Sequence, residues 1–150
     1  MKIKGQHLDF ERSLGPWLGK TVKMVDYHMI EAFHKAGLDL TKEQMVVLKK
    51  LHFQDGLNQN ELAFLTYRDK SSLARLLSKM EAKDLIKRKQ CAEDKRINEV
   101  FISEKGRLIY KKTRPVIEDL IKVMEAGITE KEKQQIIGII KKVHRNFESS

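Results

Sequence analysis

The chain has 150 residues, 41% hydrophobic and 34% charged, enough for one domain with a real core; its one cysteine, Cys91, excludes an intramolecular disulfide framework and fits a reducing compartment. A net charge of +9 and a pI of about 9.6 favour polyanionic partners through phosphate neutralisation and counterion release. No apolar stretch is long enough to span a bilayer and residues 1–13 lack the apolar run of a signal peptide, so no membrane partner and a cytoplasmic location are expected.

A first helix is expected from about Leu14 to Ala36, with Pro16 in its first turn, where a missing N–H costs little. Leu14, Leu18, Val22, Val25, Met29, Phe33 and Ala36 step by three or four along one face, and Gly37 supplies the C′ stop. Thr41-Lys42-Glu43-Gln44 reads as a capping box that opens a second helix, with Met45, Leu48 and Leu51 inward and Asp55-Gly56 closing it. Asn58, with Glu61 three residues on, starts a short third helix whose apolar side is Leu62, Ala63 and Leu65. Asp69 caps a fourth helix, on which Leu73, Leu76, Leu77 and Met80 face inward while Ser71, Ser72, Arg75 and Lys79 occupy the other face. Asp84 is a tolerable left-handed stop, after which Leu85 to Cys91 and Ile97 to Ser103 read as strands around the turn-like tip Ala92 to Arg96. Ser103 caps a long fifth helix whose stripe includes Leu108, Ile109, Ile117, Leu120, Ile121 and Met124. Pro115 inside it predicts a kink, and Gly127 a stop. A second capping box, Thr129 to Glu132, opens the last helix, with Ile136, Ile140, Val143 and Phe147 inward. The order is αααα-ββ-αα with no domain linker.

Between Arg68 and Arg96 ten basic residues face five acidic ones, so more than half of the net charge sits in under a fifth of the length. A helix exposing Ser71, Ser72 and Arg75 beside a basic hairpin suits duplex DNA, one element filling the major groove and the other reaching a neighbouring minor groove. The forked guanidinium of Arg75 matches guanine O6 and N7. Arg96 at the hairpin tip fits a narrow minor groove with Asp94 to orient it, whereas Lys70, Lys87 and Lys89 suit phosphates. The alternative is a solvated helix face and an exposed hairpin that bind nothing. The long first, fifth and sixth helices carry apolar stripes that the compact middle does not need, so a homodimer built on them is inferred; closure of all six helices within a monomer is the alternative.

With these segments in order, nearly the whole chain resembles the MarR family of bacterial winged-helix transcription regulators. Gly37 to Thr41 with Gln44 is similar to the family's signature between its first two helices, and Gln59 to Ala63 to the start of its third. Asp69-Lys70-Ser71-Ser72 with Arg75 matches its recognition helix, Asp94-Lys95-Arg96 its wing tip, and Ser103 to Gly106 the start of its long dimerisation helix. Asp84 departs from the pattern, standing where a glycine is common, and the first helix lacks the reactive cysteine of the family's acyl-hydroperoxide sensors.

The resemblance implies a mainly α protein with a small β-wing. In it, a winged helix-turn-helix core (about 38–103) is flanked by dimerisation helices (about 8–37 and 104–148) in one MarR-type domain spanning 1–150. It implies a homodimeric repressor on a pseudo-palindromic operator, with DNA contacts from Gln59, Lys70, Ser71, Ser72, Arg75, Lys79, Lys87, Lys89, Asp94 and Arg96. A sequence-independent architectural DNA-binding protein is the rival. The family also binds small aromatic acids or other ligands between the dimer helices and the winged lobe, where Trp17, Tyr27, His28, His34 and His52 are candidates; ordinary core filling and surface histidines are the alternative. Cys91, among Lys89, Glu93 and Lys95, is a candidate redox switch, though lone cysteines are commonly inert. No cofactor, metal or enzymatic activity is expected. His28 and His34 lie on different helix faces, and no phosphate loop or nucleophile–base pair is present in the sequence.

Overall fold

Side-chain caps fix where every helix after the first begins; Ser13, before the first, makes no cap bond with its side chain. Thr41 Oγ1 accepts from the Gln44 N–H while Gln44 Oε1 accepts from the Thr41 N–H, both at 3.2 Å. Asn58 Oδ1 accepts from the Glu61 N–H (2.8 Å), Asp69 Oδ1 from that of Ser72 (2.7 Å) and Ser103 Oγ from that of Gly106 (2.9 Å). Thr129 and Glu132 close a second reciprocal box at 3.1 and 2.9 Å. Each cap satisfies a donor the helix leaves orphaned and is worth about 1 kcal/mol.

The computed structural model describes residues 10–149. After a single 3₁₀ turn (Phe10–Arg12) come α1 (Leu14–Lys35), α2 (Lys42–Phe53), β1 (Leu57–Asn58), α3 (Gln59–Leu65), α4 (Lys70–Ala82), β2 (Ile86–Gln90), β3 (Asn98–Ile102), α5 (Glu104–Met124) and α6 (Glu130–Glu148). The chain divides into two compact units, 1–120 and 121–150. Among the described residues no helix is long and apolar enough to cross a membrane.

The first unit is mainly helical around a small antiparallel sheet of order β1-β3-β2. Leu57 pairs with Val100, and β2 pairs with β3 from Ile86↔Ile102 to Gln90↔Asn98. The two-residue β1 corrects the expected element order. The segment Asp55-Gly56 ends α2 but also feeds a third strand, because the Gly56 N–H donates to the Val100 carbonyl (3.0 Å) and Asp55 Oδ1 accepts from the Ile102 N–H (2.8 Å). The core under this sheet joins Phe33, Val47, Leu48, Leu51, Leu62, Leu73, Leu77, Met80, Leu85 and Val100, all at or near zero exposure. Leu65 is not part of it. It lies 40% exposed at the end of α3, one position off the Leu62–Ala63 face.

The junction of wing and long helix is tightly built. Asp84 takes the left-handed conformation (φ 59°), which its short polar side chain tolerates. Its carbonyl accepts from the Ser103 hydroxyl (2.6 Å), and the Leu85 carbonyl accepts from the Ser103 N–H (3.0 Å). Gly106 lies against this knot so closely that a Cβ would stand 2.2 Å from the Leu85 carbonyl oxygen. Only glycine fits there.

α5 is one unbroken helix through Pro115, with Gly106 and Thr113 buried in its first unit portion and Leu108 exposed rather than inward. In the second unit, α6 buries no residue. Ile136 and Phe147, expected inward, are 54% and 77% exposed, and Ile140 and Val143 are half-buried. Helical periodicity marks an apolar stripe correctly but does not say what covers it.

Candidate nucleic-acid interface

The row Ser71, Arg75, Lys79 steps by four along α4 and is exposed, opposite the buried row Leu73, Leu76, Leu77, Met80. Lys70 is exposed in the same first turn. Ser72 is half-buried, and its hydroxyl accepts from Arg68 Nε (3.1 Å) while its N–H is spent on the Asp69 cap. Arg68, in the turn before α4, is not among the expected contact residues; its i, i+4 relation to Ser72 is the signal for this bond.

The wing is fastened to α4 by Arg88, also not singled out. Its guanidinium donates to both carboxylate oxygens of Glu81 (3.0 and 3.2 Å) and reaches Ser78 (3.5 Å), and the Arg88 bond holds the Glu81 carboxyl below its usual range. Arg88 therefore points along α4, while its neighbours Lys87 and Lys89 alternate to the other side and stay exposed, Lys89 with its ammonium 5.5 Å from the Phe101 ring centroid. At the tip, Asp94 accepts from Arg96 Nε (3.1 Å), its terminal nitrogen (3.2 Å) and its backbone N–H (3.0 Å). That fork leaves the Arg96 side chain 90% exposed, and its hydrogen bonds hold the Asp94 carboxyl below the usual aspartate range.

Of the ten basic residues between Arg68 and Arg96, Arg68, Lys83 and Arg88 are committed to internal partners; Lys83 binds Asp39 and Gln44. Lys70, Arg75, Lys79, Lys87 and Lys95 make no ion pair among the described residues. The uncommitted charge thus gathers on the outer face of α4 and along the wing. Gln59 opens α3 half-buried, its Oε1 sequestered and without a hydrogen-bond partner among the described residues. Cys91 is half-buried where β2 gives way to the tip, its N–H bonded to the Ile97 carbonyl (2.8 Å).

A separate cavity of about 710 Å³ opens among α1, α2 and α5 within the first unit. Met29, Met45, Phe53 and Ile117 give it apolar walls, Lys49, Arg107 and Lys111 line it with positive charge, Arg114 pairs with the lining Glu118 (2.9 Å), and His52 and Tyr110 pack ring to ring at 4.8 Å. Of the five effector candidates only His52 lines it. Trp17 donates to the Glu11 carbonyl (2.6 Å), Tyr27 packs edge-on to His28 with its phenol pKa raised by Glu31, and His34 is exposed near the end of α1; none of these reaches the cavity. Arg107 also donates to Asp55 Oδ2 (3.0 Å), the carboxylate whose other oxygen holds the end of β3. Among the described residues no group of three or more His, Cys, Asp or Glu side chains is arranged to hold a metal.

A three-helix lobe with an exposed recognition helix, closed by an antiparallel hairpin tied to that helix, defines a winged helix-turn-helix protein. The sequence profile of the MarR family matches residues 40–97. The "Uncharacterized HTH-type transcriptional regulator YybA" of Bacillus subtilis (strain 168) is 31% identical over 111 residues, 74% of either chain. The chain belongs to the MarR family, a family of transcriptional regulators rather than enzymes. The fold is similar to that of the crystal structure of MarR (TM-score 0.79, 22% identity, 96% of this chain and 97% of that one). It is likewise similar to the transcriptional repressor CouR bound to a 23-mer DNA duplex (TM-score 0.82, 17% identity, 94% and 99%). A third similar structure is Bordetella bronchiseptica BpsR, whose DNA binding is regulated by 6-hydroxynicotinic acid (TM-score 0.82, 19% identity, 93% and 98%).

Proposed function

We propose that the protein is a repressor that binds a pseudo-palindromic operator as a homodimer in the bacterial cytoplasm. The observation that carries this reading is the exposed row Ser71–Arg75–Lys79 on α4, without an ion pair among the described residues, beside a wing whose tip arginine is braced by Asp94. In the complex α4 lies in the major groove, where Arg75 reads base edges and Ser71 and Ser72 approach from the first turn. Gln59 and Lys70 hold the flanking backbone. Arg96 enters the adjacent minor groove, Asp94 restricting its rotamers, and Lys87 and Lys89 add phosphate contacts that set position rather than sequence. The DNA-bound state of CouR supports the assignment.

The whole chain acts as one MarR-type domain: about 38–103 read DNA, and about 8–37 and 104–148 join two copies. Exposed apolar side chains on α1 (Trp17, Val22, Tyr27) and on α6 (Ile136, Ile137, Ile139) support a second copy as their cover. The cavity suits a small organic anion, its apolar walls taking a ring and its cations a carboxylate. An anion drawing Arg107 from Asp55 would loosen the end of β3, which connects ligand binding to the wing. The regulation of BpsR by 6-hydroxynicotinic acid supports this ligand class.

Selection of bound genomic fragments with the purified protein at physiological salt tests the reading. The expected result is enrichment of a short pseudo-palindrome bound by at least about a thousandfold over random duplex. Equal affinity for every duplex would make the protein an architectural DNA-binding protein instead.

A further inference from the structure

Helix α3 ends in a Schellman arrangement. Thr66 is the C-cap, the Tyr67 N–H donates to the Phe64 carbonyl (3.3 Å) and the Arg68 N–H to the Ala63 carbonyl (3.0 Å). This geometry needs a left-handed residue at the C′ position, where glycine is free of strain and asparagine or aspartate is tolerated. Here the residue is a tyrosine at φ 53°. Bulky side chains are outliers in this region.

The two backbone bonds of the cap are made with any residue at this position, and among the described residues the tyrosine side chain adds nothing to them. The Tyr67 side chain is 96% exposed, and neither its ring nor its hydroxyl has a partner among the described residues. Asp84, the other described non-glycine residue in this conformation, is different: it is of a tolerated type and its carbonyl anchors Ser103. A large aromatic held against its conformational preference and presented to solvent has its use outside the folded monomer.

Its surroundings name the occupant. Tyr67 stands two residues before the Asp69 cap of α4, at the end of the helix that carries Lys70 and Ser71. Arg68 and Lys70 flank it with positive charge, and Asp69 between them accepts the Ser72 N–H through one carboxylate oxygen (2.7 Å). A phenol in a cationic setting matches the sugar–phosphate backbone: the ring covers a deoxyribose and the hydroxyl donates to a phosphate oxygen.

We propose that Tyr67 is a DNA-contacting residue that docks on the backbone beside the groove occupied by α4 and so sets that helix's depth and angle. The proposal rests on the DNA-binding reading above. It is tested by fluorescence anisotropy on the selected operator at fixed salt, paired with thermal melting, for wild type, Tyr67→Gly, Tyr67→Asn, Tyr67→Phe and Arg75→Ala. Tyr67→Gly and Tyr67→Asn are expected to melt at or above the wild-type temperature, since strain is relieved, yet to bind about tenfold more weakly; Tyr67→Phe, which keeps the ring, falls in between. Wild-type affinity in Tyr67→Gly and Tyr67→Asn, with Arg75→Ala weakened, overturns the proposal and leaves the DNA-binding reading standing. Lower melting temperatures in both, with affinity lost in proportion, also overturn it, because Tyr67 is then a purely structural residue. Failure of the wild type to bind any duplex removes the DNA-binding reading and this inference with it.

Discussion

In the middle of the chain, from Phe33 to Ile102, lie all the buried hydrophobic side chains among the described residues; α6, nineteen residues of regular helix with a complete capping box, buries none. Both regions carry apolar residues at helical spacing. The middle lobe spends them on a core, joined by Phe33 of α1 and flanked by Ile109 and Ile117 of α5, that holds the α4 row and the wing in a fixed relation. A lone amphipathic helix gains little from propensity and caps and takes its stability from the surface it packs on. The contrast separates a lobe that buries its apolar residues from a last helix whose apolar stripe is left uncovered among the described residues.

The strongest way to break this comparison is to charge the uncovered stripe. Ile136→Asp with Ile140→Asp is expected to move the sedimentation mass from dimer to monomer and to weaken operator binding by about a hundredfold or more, as two linked lobes become one. A monomeric wild type would end the comparison at once. Next in size, Leu77→Ala inside the lobe should cost about 2–5 kcal/mol in denaturant unfolding while the mass of the folded protein stays that of the wild type. Arg96→Ala should leave the melting temperature unchanged but lower operator affinity about ten- to a hundredfold in a gel-shift titration; unchanged binding would remove the wing from the interface.

A smaller effect sharpens the description of the wing tip. Asp94 is held below its usual pKa of 3.8 by Arg96, so the pair's contribution is fully present above the range in which an unfolded aspartate titrates and is lost as pH falls through the lower folded value. An NMR titration of the Asp94 carboxyl should give a midpoint below the ordinary value, and Arg96→Ala should raise it, the backbone N–H of residue 96 holding back part of the rise. Smallest of all, Lys87→Gln should reduce the slope of log affinity against log salt by about one and leave sequence preference intact.

Much of the lobe could be inferred from the sequence because its instructions are local. Thr41, Asn58, Asp69, Ser103 and Thr129 each carry both the signal for a helix start and the atom that makes the cap. Asp84 likewise carries its own tolerance for the left-handed turn. What could not be inferred is assembled from distant segments. β1 has two residues and exists only because Val100 and Glu99 arrive from more than forty positions away. The commitment of Arg88 to Glu81 and Ser78 depends on how the hairpin folds back on α4. The cavity joins Met29, His52 and Tyr110 from three helices, and no spacing rule links them. The exposure of Leu65 and Leu108 is equally a tertiary outcome, since periodicity names a face and not its cover.

The knot at Ser103 and Gly106 has a mechanical consequence. With Ser103 bonded to the Asp84 and Leu85 backbone and no side chain to cushion Gly106, the first turn of α5 and the root of the wing cannot swivel independently. Any torque on the long helix is delivered to the hairpin as a lever delivers it, without slack. A single added methyl at position 106 would act as a wedge in that joint, altering the pitch of the wing without touching the α4 row or the wing tip.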